Sequence, residues 1–243
     1  MNYSLLNKII ILVCFTQLNA HRVQKIVLDR GRQQHDTQLN AQQTQLKPLH
    51  HVLNVNSNAT TNIWVVDDFY VHPELIRYMV LQEEFYVKGN FPGPRTRSYA
   101  TEEVKHKIQK VIGKSVRRWR SHQQAYNGAF QFSTSRERSW IHTDAYNTHA
   151  GVLYLTPDAP LTAGTATFRY KPTLDRYKNI TTLEQTDDHS QDMTKWEIVD
   201  QIGNVFNRLI LFNSKQFHMS VDYFGTTKFD SRLFQVFFFD IED

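Results

Sequence analysis

The stretch WIHTD at residues 140–144, followed by the apolar run GVLYL at 151–155, decides the interpretation of this sequence. In extended backbone, alternate side chains point to the same face. An extended chain here therefore places the His142 imidazole and the Asp144 carboxylate side by side. The two groups would lie within reach of one metal ion.

Two side chains hold a metal weakly, so a third ligand must come from elsewhere in the chain. The best candidate is His218 in FHMS at 217–220, because it follows the strand-like run NRLILF at 207–212. Two histidines and one carboxylate, with part of the coordination sphere left open, favour a non-haem Fe(II) site. His149 is the main rival ligand, but its spacing predicts a loop position before the next strand.

Composition limits the class of protein. The chain has 243 residues, of which 40% are hydrophobic, and this predicts one large domain, or one domain with extensions. A net charge of +4 is too small for a dedicated nucleic-acid binder. Cys14 is the single cysteine in the sequence, which excludes a disulfide framework and a cysteine-based zinc site.

The first 60 residues are predicted to lie outside the domain. Residues 1–20 have the pattern of a signal peptide, with Lys8 before an apolar run at 9–15 that is too short for a membrane span. Residues 21–60 are polar and predict a disordered arm. A genuine signal would send the protein into the secretory pathway or out of the cell; otherwise a cytoplasmic location is expected.

The predicted domain covers residues 61–243 and begins with a strand at Ile63–Val66. A helix follows from Pro73, and its apolar face is formed by Leu75, Ile76, Met79 and Val80. A second helix is predicted from an N-cap at Thr101 to Arg120. Its basic side is interpreted as a solvated face or as a groove for an acidic partner.

Short strands dominate the rest of the chain and predict a β-sandwich or jelly roll. Residues 171–195 interrupt them as a polar insertion, which is expected to be a substrate lid or disordered. The predicted strands are 128–133, the stretch at 140–144, 151–156, 165–170, 196–199, 204–212, 219–223 and 233–239.

Arg232 directly precedes the apolar run at 233–239, where a charge must be paired or solvated. Its guanidinium suits a carboxylate bound through two hydrogen bonds. That carboxylate could belong to Asp230, to Glu242, or to a 2-oxo acid whose other end chelates the metal.

Each candidate residue also has an ordinary structural interpretation. His142 could be a partly buried histidine, His218 could cap a turn, and Asp144 could form an Asx turn. Their order along a strand-rich chain, together with Arg232, favours one functional site.

The order His142-x-Asp144, then His218, then Arg232 resembles that of the 2-oxoglutarate- and Fe(II)-dependent oxygenases, in their prolyl-hydroxylase-like branch. The resemblance covers residues 63–240 and extends to GTATF at 164–168, which is similar to the family's glycine-containing turn. The segment from His218 to Arg232 is longer than is usual in that branch. The resemblance is to uncharacterised bacterial or viral members, and it does not extend to substrate residues.

The resemblance implies a mainly β fold with N-terminal helices, in the form of a double-stranded β-helix or jelly roll. It implies that His142, Asp144 and His218 bind Fe(II) as the catalytic centre, and that Arg232 and Tyr154 bind 2-oxoglutarate. The expected activity is O2-dependent hydroxylation of a peptide or small molecule, with no nucleic acid and no membrane span involved. The alternatives are a catalytically silent member and a cupin-like metal-binding jelly roll.

Overall fold

The computed structural model describes residues 63–122, 126–144, 146–178 and 183–242, together with the backbone of residues 23–25. The predicted signal at 1–20 and most of the predicted arm at 21–60 lie outside the described residues. None of the helices in the described ranges has the length and apolar character needed to cross a membrane.

Antiparallel strands form most of the described structure. The strands are β1 (Val23–Lys25), β2 (Ile63–Val66), β3 (Arg95–Ser98), β4 (Val116–Arg117), β5 (Ala129–Ser133), β6 (His149–Tyr154), β7 (Thr165–Tyr170), β8 (Trp196–Ile202), β9 (Leu209–Asn213), β10 (His218–Ser220) and β11 (Arg232–Ile241). The helices are α1 (Pro73–Val80), α2 (Glu102–Ile112), α3 (Leu183–Asp188) and a 3-10 turn at Met193–Lys195.

Two sheets organise these strands. The large sheet has the order β1-β2-β9-β6-β11-β5-β3, with β4 paired to the far end of β11, and the small sheet has the order β10-β7-β8. Every strand pair in both sheets is antiparallel. The predicted mainly β fold with N-terminal helices is therefore confirmed.

The two faces of the large sheet have different neighbours. Helices α1 and α2 cover the outer face, where their buried residues pack in one core with side chains of β6, β9 and β11. The inner face carries a second apolar cluster that includes Tyr154, Ile210 and Phe234, and Ile202 of the small sheet packs against it. The alternation of side chains along each strand thus separates a helix-packed core from a face that meets the small sheet.

Both helices begin where the sequence predicts, and α2 ends earlier than predicted. Thr101 caps α2, because its hydroxyl accepts a hydrogen bond from the backbone of Val104. The helix stops at Ile112 because Gly113 adopts a φ of 74°, so the predicted continuation to Arg120 is wrong.

Three other sequence predictions also differ from the structure. Leu75 is 37% exposed and does not join the buried face of α1. The stretch at 140–144 forms only an isolated bridge and no strand. The described part of the insertion at 171–195 is ordered into a turn, α3 and the 3-10 turn, and its role as a lid stays a prediction.

Asn207 fixes the segment before α1 against the large sheet. Its backbone has a φ of 63°, so β9 begins later than the predicted strand at 204–212. Its side chain accepts a hydrogen bond from the Tyr70 backbone at 2.9 Å and donates one to the Tyr70 carbonyl at 2.8 Å. Both bonds are buried, so neither backbone group has water as a ready substitute.

We expect Asn207→Ala to lower the free energy of unfolding by roughly 2–4 kcal/mol, because it removes both hydrogen bonds to the buried Tyr70 backbone. Asn207→Asp keeps the acceptor but sets a carboxylate oxygen against the Tyr70 carbonyl, so it should also lower the free energy of unfolding. Urea unfolding of both variants measures the difference. Equal stability of Asn207→Ala and the wild type would contradict this account.

Candidate metal centre

Reciprocal backbone hydrogen bonds join His142 to His218. The His142 N–H donates to the His218 carbonyl at 3.1 Å, and the His218 N–H donates to the His142 carbonyl at 2.9 Å. Two residues further on, the Asp144 N–H donates to the Ser214 carbonyl at 2.9 Å. The segment that carries His142 and Asp144 is thereby held against β10 and the turn before it, although it is not a sheet strand.

These contacts bring the three predicted ligands together. One ligand atom each of His142, Asp144 and His218 lie within 4.8 Å of one another. The Asp144 Oδ2 lies 3.7 Å from the His218 Nε2, and the two imidazole centroids are 4.5 Å apart. His218 is buried, while the other two are partly exposed, so the cluster has one sealed side and one accessible side.

Both imidazoles are held in the same tautomer. The Nδ1 of His142 lies 2.9 Å from the Trp140 carbonyl, and the Nδ1 of His218 lies 2.8 Å from the Gln216 carbonyl. A carbonyl can only accept, so each Nδ1 carries the proton and each Nε2 keeps a lone pair. This arrangement is the one that orients metal-binding histidines through a hydrogen bond from the other ring nitrogen.

Charge at the cluster also fits a cation. The Asp144 Oδ2 is buried and has no hydrogen-bond partner in the structure, a costly state for a carboxylate oxygen. Burial, together with the smaller effect of nearby His142, lowers the pKa of His218 to about 4, although Asp144 opposes the decrease. His218 is therefore neutral at pH 7, which is the form that binds metals.

Arg232 lies on the inner face of the large sheet and is fully buried. Its Nε donates to the Ala163 carbonyl at 2.9 Å, and its Nη2 donates to the Gly164 carbonyl at 3.4 Å. Its Nη1 is buried without a hydrogen-bond partner. The guanidinium carbon lies 4.2 Å from the centre of the Phe234 ring.

Tyr154 lies beside this guanidinium, with its ring centre 5.3 Å from the guanidinium carbon of Arg232. Its hydroxyl is 2.9 Å from the Thr165 Oγ1. Burial raises the pKa of Tyr154, although the charge of Arg232 opposes the rise, so the phenol keeps its proton. Two of the predicted residues thus form a donor-rich site between the two sheets.

The glycine of the predicted turn allows the sheets to approach at this point. A Cβ on Gly164 would lie 1.9 Å from the Ile202 carbonyl oxygen, closer than any side chain permits. The Gly164 carbonyl accepts from Arg232 and also from the backbone of Val221 at 3.2 Å. The glycine is therefore needed to hold the arginine in place.

The protein partners considered for Arg232 are engaged elsewhere. Asp230 accepts hydrogen bonds from Thr226 and Thr227, and Glu242 forms an ion pair with Arg117 at 2.5 Å. No carboxylate of the described ranges lies within 4.0 Å of the Arg232 guanidinium. In the described ranges its guanidinium is surrounded by the carbonyls of Ala163 and Gly164 and by the rings of Tyr154 and Phe234.

His149 is not a rival ligand. It opens β6, and does not lie in the predicted loop. Its ring contacts Trp64 and Phe239, whose side chains belong to the helix-packed core on the outer face. His149 is therefore on the opposite side of the large sheet from Tyr154.

Arg95 was not identified from the sequence. It is only 7% exposed and opens β3, a strand that the sequence did not predict. Burial lowers its pKa to about 10, while the negative charge of Asp144 opposes that change. The sequence RTRS at 95–98 has no apolar alternation, so it gave no signal for a buried arginine near the cluster.

The low pKa of His218 predicts a pH-dependent stability. The unfolded chain binds this proton near pH 6.5 and the folded chain near pH 4, so lowering the pH favours unfolding. For the metal-free protein we expect a loss of about 2 kcal/mol from His218 between pH 7 and pH 5. Urea unfolding at both pH values measures it.

His218→Asn should show a smaller decrease between the two pH values, because the titrating group is gone. His106→Asn, at an exposed histidine of α2, is the matched control and should behave like the wild type. The same decrease in His218→Asn and the wild type would disprove the assignment of this pH dependence to His218.

Solved structures with the same fold are known. The chain is similar to HygX from Streptomyces hygroscopicus, crystallised with nickel, 2-oxoglutarate and hygromycin B bound, with a TM-score of 0.50 and 11% identity over 73% of this chain and 82% of HygX. The chain is less similar to a prolyl hydroxylase from Trichoplax adhaerens, solved in complex with a hypoxia inducible factor peptide fragment. That comparison has a TM-score of 0.39 and 12% identity, and it covers 74% of this chain and 84% of the hydroxylase.

The likeness to HygX is evidence for the fold, and it confirms at that level the resemblance to the 2-oxoglutarate and Fe(II) oxygenases. No curated protein sequence matches the chain. A sequence profile does match it, over residues 47–221, and its family is described as one of unknown function. The chain belongs to this family of unknown function, DUF6445.

Proposed function

We propose that the protein is an Fe(II)- and 2-oxoglutarate-dependent dioxygenase that hydroxylates a peptide or a small molecule, built on a double-stranded β-helix. The observation that carries the proposal is the presence of two incomplete groups, one at β10 of the small sheet and one on the inner face of the large sheet. One is a cluster of two imidazole nitrogens and an unpartnered carboxylate oxygen. The other is a buried guanidinium with an unpartnered N–H group and no carboxylate partner.

The ligand cluster suits Fe(II). Two neutral imidazoles and one carboxylate are the donors of the facial triad in non-haem iron oxygenases, which leaves coordination positions open for other ligands. His142 and His218 would donate through Nε2, because their Nδ1 protons are held by backbone carbonyls. Asp144 would donate through its unpartnered Oδ2.

Arg232 and Tyr154 would bind the cosubstrate. A dicarboxylate that chelates the metal through its 2-oxo acid end presents a second carboxylate some distance away. The Nη1 of Arg232 would donate to that carboxylate, and the protonated Tyr154 hydroxyl would add a second hydrogen bond. The carbonyls of Ala163 and Gly164 keep the guanidinium in position before the cosubstrate arrives.

When bound, Fe(II) and 2-oxoglutarate supply the oxidising chemistry, in which O2 is consumed, 2-oxoglutarate becomes succinate and CO2, and the substrate gains a hydroxyl group. The residues of the chain have simpler tasks. They fix the positions of the metal and the cosubstrate, and they keep bulk water away from Arg232 and Tyr154, both of which are buried. Neither residue needs to exchange a proton during the reaction.

The alternative of a cupin-like metal protein leaves Arg232 unexplained, because metal binding alone needs no guanidinium. A catalytically silent member would retain the triad without function. Succinate formation that depends on Fe(II) distinguishes the proposed enzyme from both.

Anaerobic titration tests the assignment of the cosubstrate residues. Arg232→Ala should weaken 2-oxoglutarate binding by about 1.5–3 kcal/mol, which is the value of a charged hydrogen bond, and should leave Fe(II) binding close to that of the wild type. Asp144→Asn should instead weaken Fe(II) binding. Calorimetry of each ligand separates the two effects, and a succinate assay follows turnover.

Arg169→Ala is the matched control, because Arg169 is a partly buried arginine of β7 that pairs with Glu197. It should bind both ligands like the wild type. Two outcomes would reject the proposed function. In the first, Arg232→Ala loses affinity for Fe(II) and for 2-oxoglutarate equally. In the second, the wild type binds Fe(II) but does not bind 2-oxoglutarate.

A further inference from the structure

A second buried arginine, Arg95, lies in the same row of the inner face as the proposed cosubstrate site. Arg95 pairs with Gln131 across β3 and β5, Gln131 pairs with Phe234 across β5 and β11, and Phe234 pairs with Tyr154 across β11 and β6. Directly paired residues project from the same face of a sheet. The row therefore runs from Tyr154 in the middle of the sheet to Arg95 at its edge.

The Arg95 guanidinium is held by a hydrogen bond and by neighbouring aromatic rings. Its Nε donates to the Gln131 Oε1 at 2.6 Å, and the ring of Phe91 lies 3.7 Å from the guanidinium carbon. The rings of Tyr126 and Phe238 lie at 5.3 Å and 5.7 Å. The Nε atom and the guanidinium face that lies against Phe91 are thus occupied. The Nη1 and Nη2 atoms donate to no group in the described ranges.

The loop that carries Phe91 is fixed in advance. The Pro92 carbonyl accepts a hydrogen bond from the Ser133 hydroxyl at 2.7 Å and another from the Gln131 side chain. At Gly93 the chain has a φ of 80°, and a Cβ there would lie 2.0 Å from the Phe132 carbonyl oxygen. Tight packing of this loop on β5 presents Phe91 to the guanidinium without a cost in ordering at the time of binding.

The charge of Arg95 has no close partner. No carboxylate of the described residues lies within 4.0 Å of it, and Asp144 acts on it only through longer-range attraction. The row of paired residues described above places Arg95 on the same inner face of the large sheet as Tyr154. A buried cation whose Nη1 and Nη2 groups have no acceptor in the described ranges is suited to bind an anion.

Arg232 and Arg95 differ in access. Arg232 is completely buried, whereas Arg95 lies on the edge strand of the sheet beside Tyr126, which is 47% exposed. 2-Oxoglutarate has one carboxylate left after it chelates the metal, and a single guanidinium is enough for it. The second guanidinium is available to a different ligand that enters from the open edge.

We propose that Arg95 binds a carboxylate group of the substrate, and that the substrates of this protein are therefore carboxylic acids. The inference rests on the proposed function, because that function supplies the oxidation at the neighbouring metal. Phe91 covers one side of the guanidinium and favours a flat anion, so a carboxylate fits better than a phosphate.

Benzoate is a suitable probe, since it is a planar carboxylate with an apolar body, and benzamide is its neutral counterpart. Calorimetry would measure both, in protein loaded anaerobically with Fe(II) and 2-oxoglutarate and in metal-free protein. In the loaded protein the cosubstrate occupies Arg232, so Arg95 is the guanidinium left for benzoate. We expect the wild type to bind benzoate at least about tenfold more tightly than benzamide, as for one charged hydrogen bond.

Arg95→Gln should lose at least about tenfold in benzoate affinity, and Arg95→Lys should lose less because it keeps the charge without the fork. Arg97→Gln is the matched control: Arg97 lies on the same strand, but its guanidinium lies over the ring of Tyr99, a residue that packs against the outer-face core. Its benzoate affinity should equal that of the wild type. 2-Oxoglutarate affinity should fall in Arg232→Ala and not in Arg95→Gln.

Equal binding of benzoate and benzamide by the wild type would overturn the proposal without any variant. Tighter binding of inorganic phosphate than benzoate would overturn the assignment to carboxylic acids. Loss of 2-oxoglutarate binding in Arg95→Gln would mean that Arg95 serves the cosubstrate. If the loaded wild type binds 2-oxoglutarate but not benzoate, this inference alone fails; if it binds no 2-oxoglutarate, the proposed function fails and the substrate site with it.

Discussion

The pair of backbone hydrogen bonds between His142 and His218 is the contact on which the site depends. It joins the segment at 140–144, which is not a strand, to β10, while the backbone bonds of Ile141 to Ser190 and of Asp144 to Ser214 hold the segment on either side. Each histidine also donates its Nδ1 proton to the carbonyl two residues before it in the chain. The same local hydrogen bond is therefore present at both histidines, and it turns both Nε2 atoms toward the Asp144 carboxylate. Backbone geometry thus fixes the three side chains before any ligand arrives.

The large sheet separates structural from chemical roles through the alternation of its side chains. The outer face carries apolar residues and His149, whose ring is packed among aromatic groups. The inner face carries Arg95, Gln131, Arg232 and Tyr154, all buried. Burying two guanidinium groups without carboxylate partners costs free energy that apolar residues at the same positions would not cost. Such a cost is expected at a site that is completed by ligands.

Prediction from sequence succeeded where the signal was local or followed from the order of distant residues. Local signals identified the N-cap at Thr101 and the strands at Ile63–Val66 and Thr165–Tyr170. The order of histidine, aspartate, histidine and arginine along the chain identified four residues that the fold buries or brings together. The end of α2 was missed because a left-handed Gly113 outweighed the apolar spacing that continues beyond it. Arg95 could not be found, because its burial depends on Gln131, Tyr126 and Phe238, which are distant in sequence, as well as on nearby Phe91.

The two unpartnered atoms of the site explain each other. The Asp144 Oδ2 and the Arg232 Nη1 are oppositely charged and buried, and an ion pair between them would satisfy both. Each group is anchored separately, the Asp144 backbone by the Ser214 carbonyl and the Arg232 side chain by the carbonyls of Ala163 and Gly164. The unpartnered carboxylate oxygen suits a cation, and the unpartnered guanidinium N–H suits an anion. The proposed divalent metal with a chelating dicarboxylate would supply both, whereas a metal ion alone would leave the guanidinium without an anionic partner.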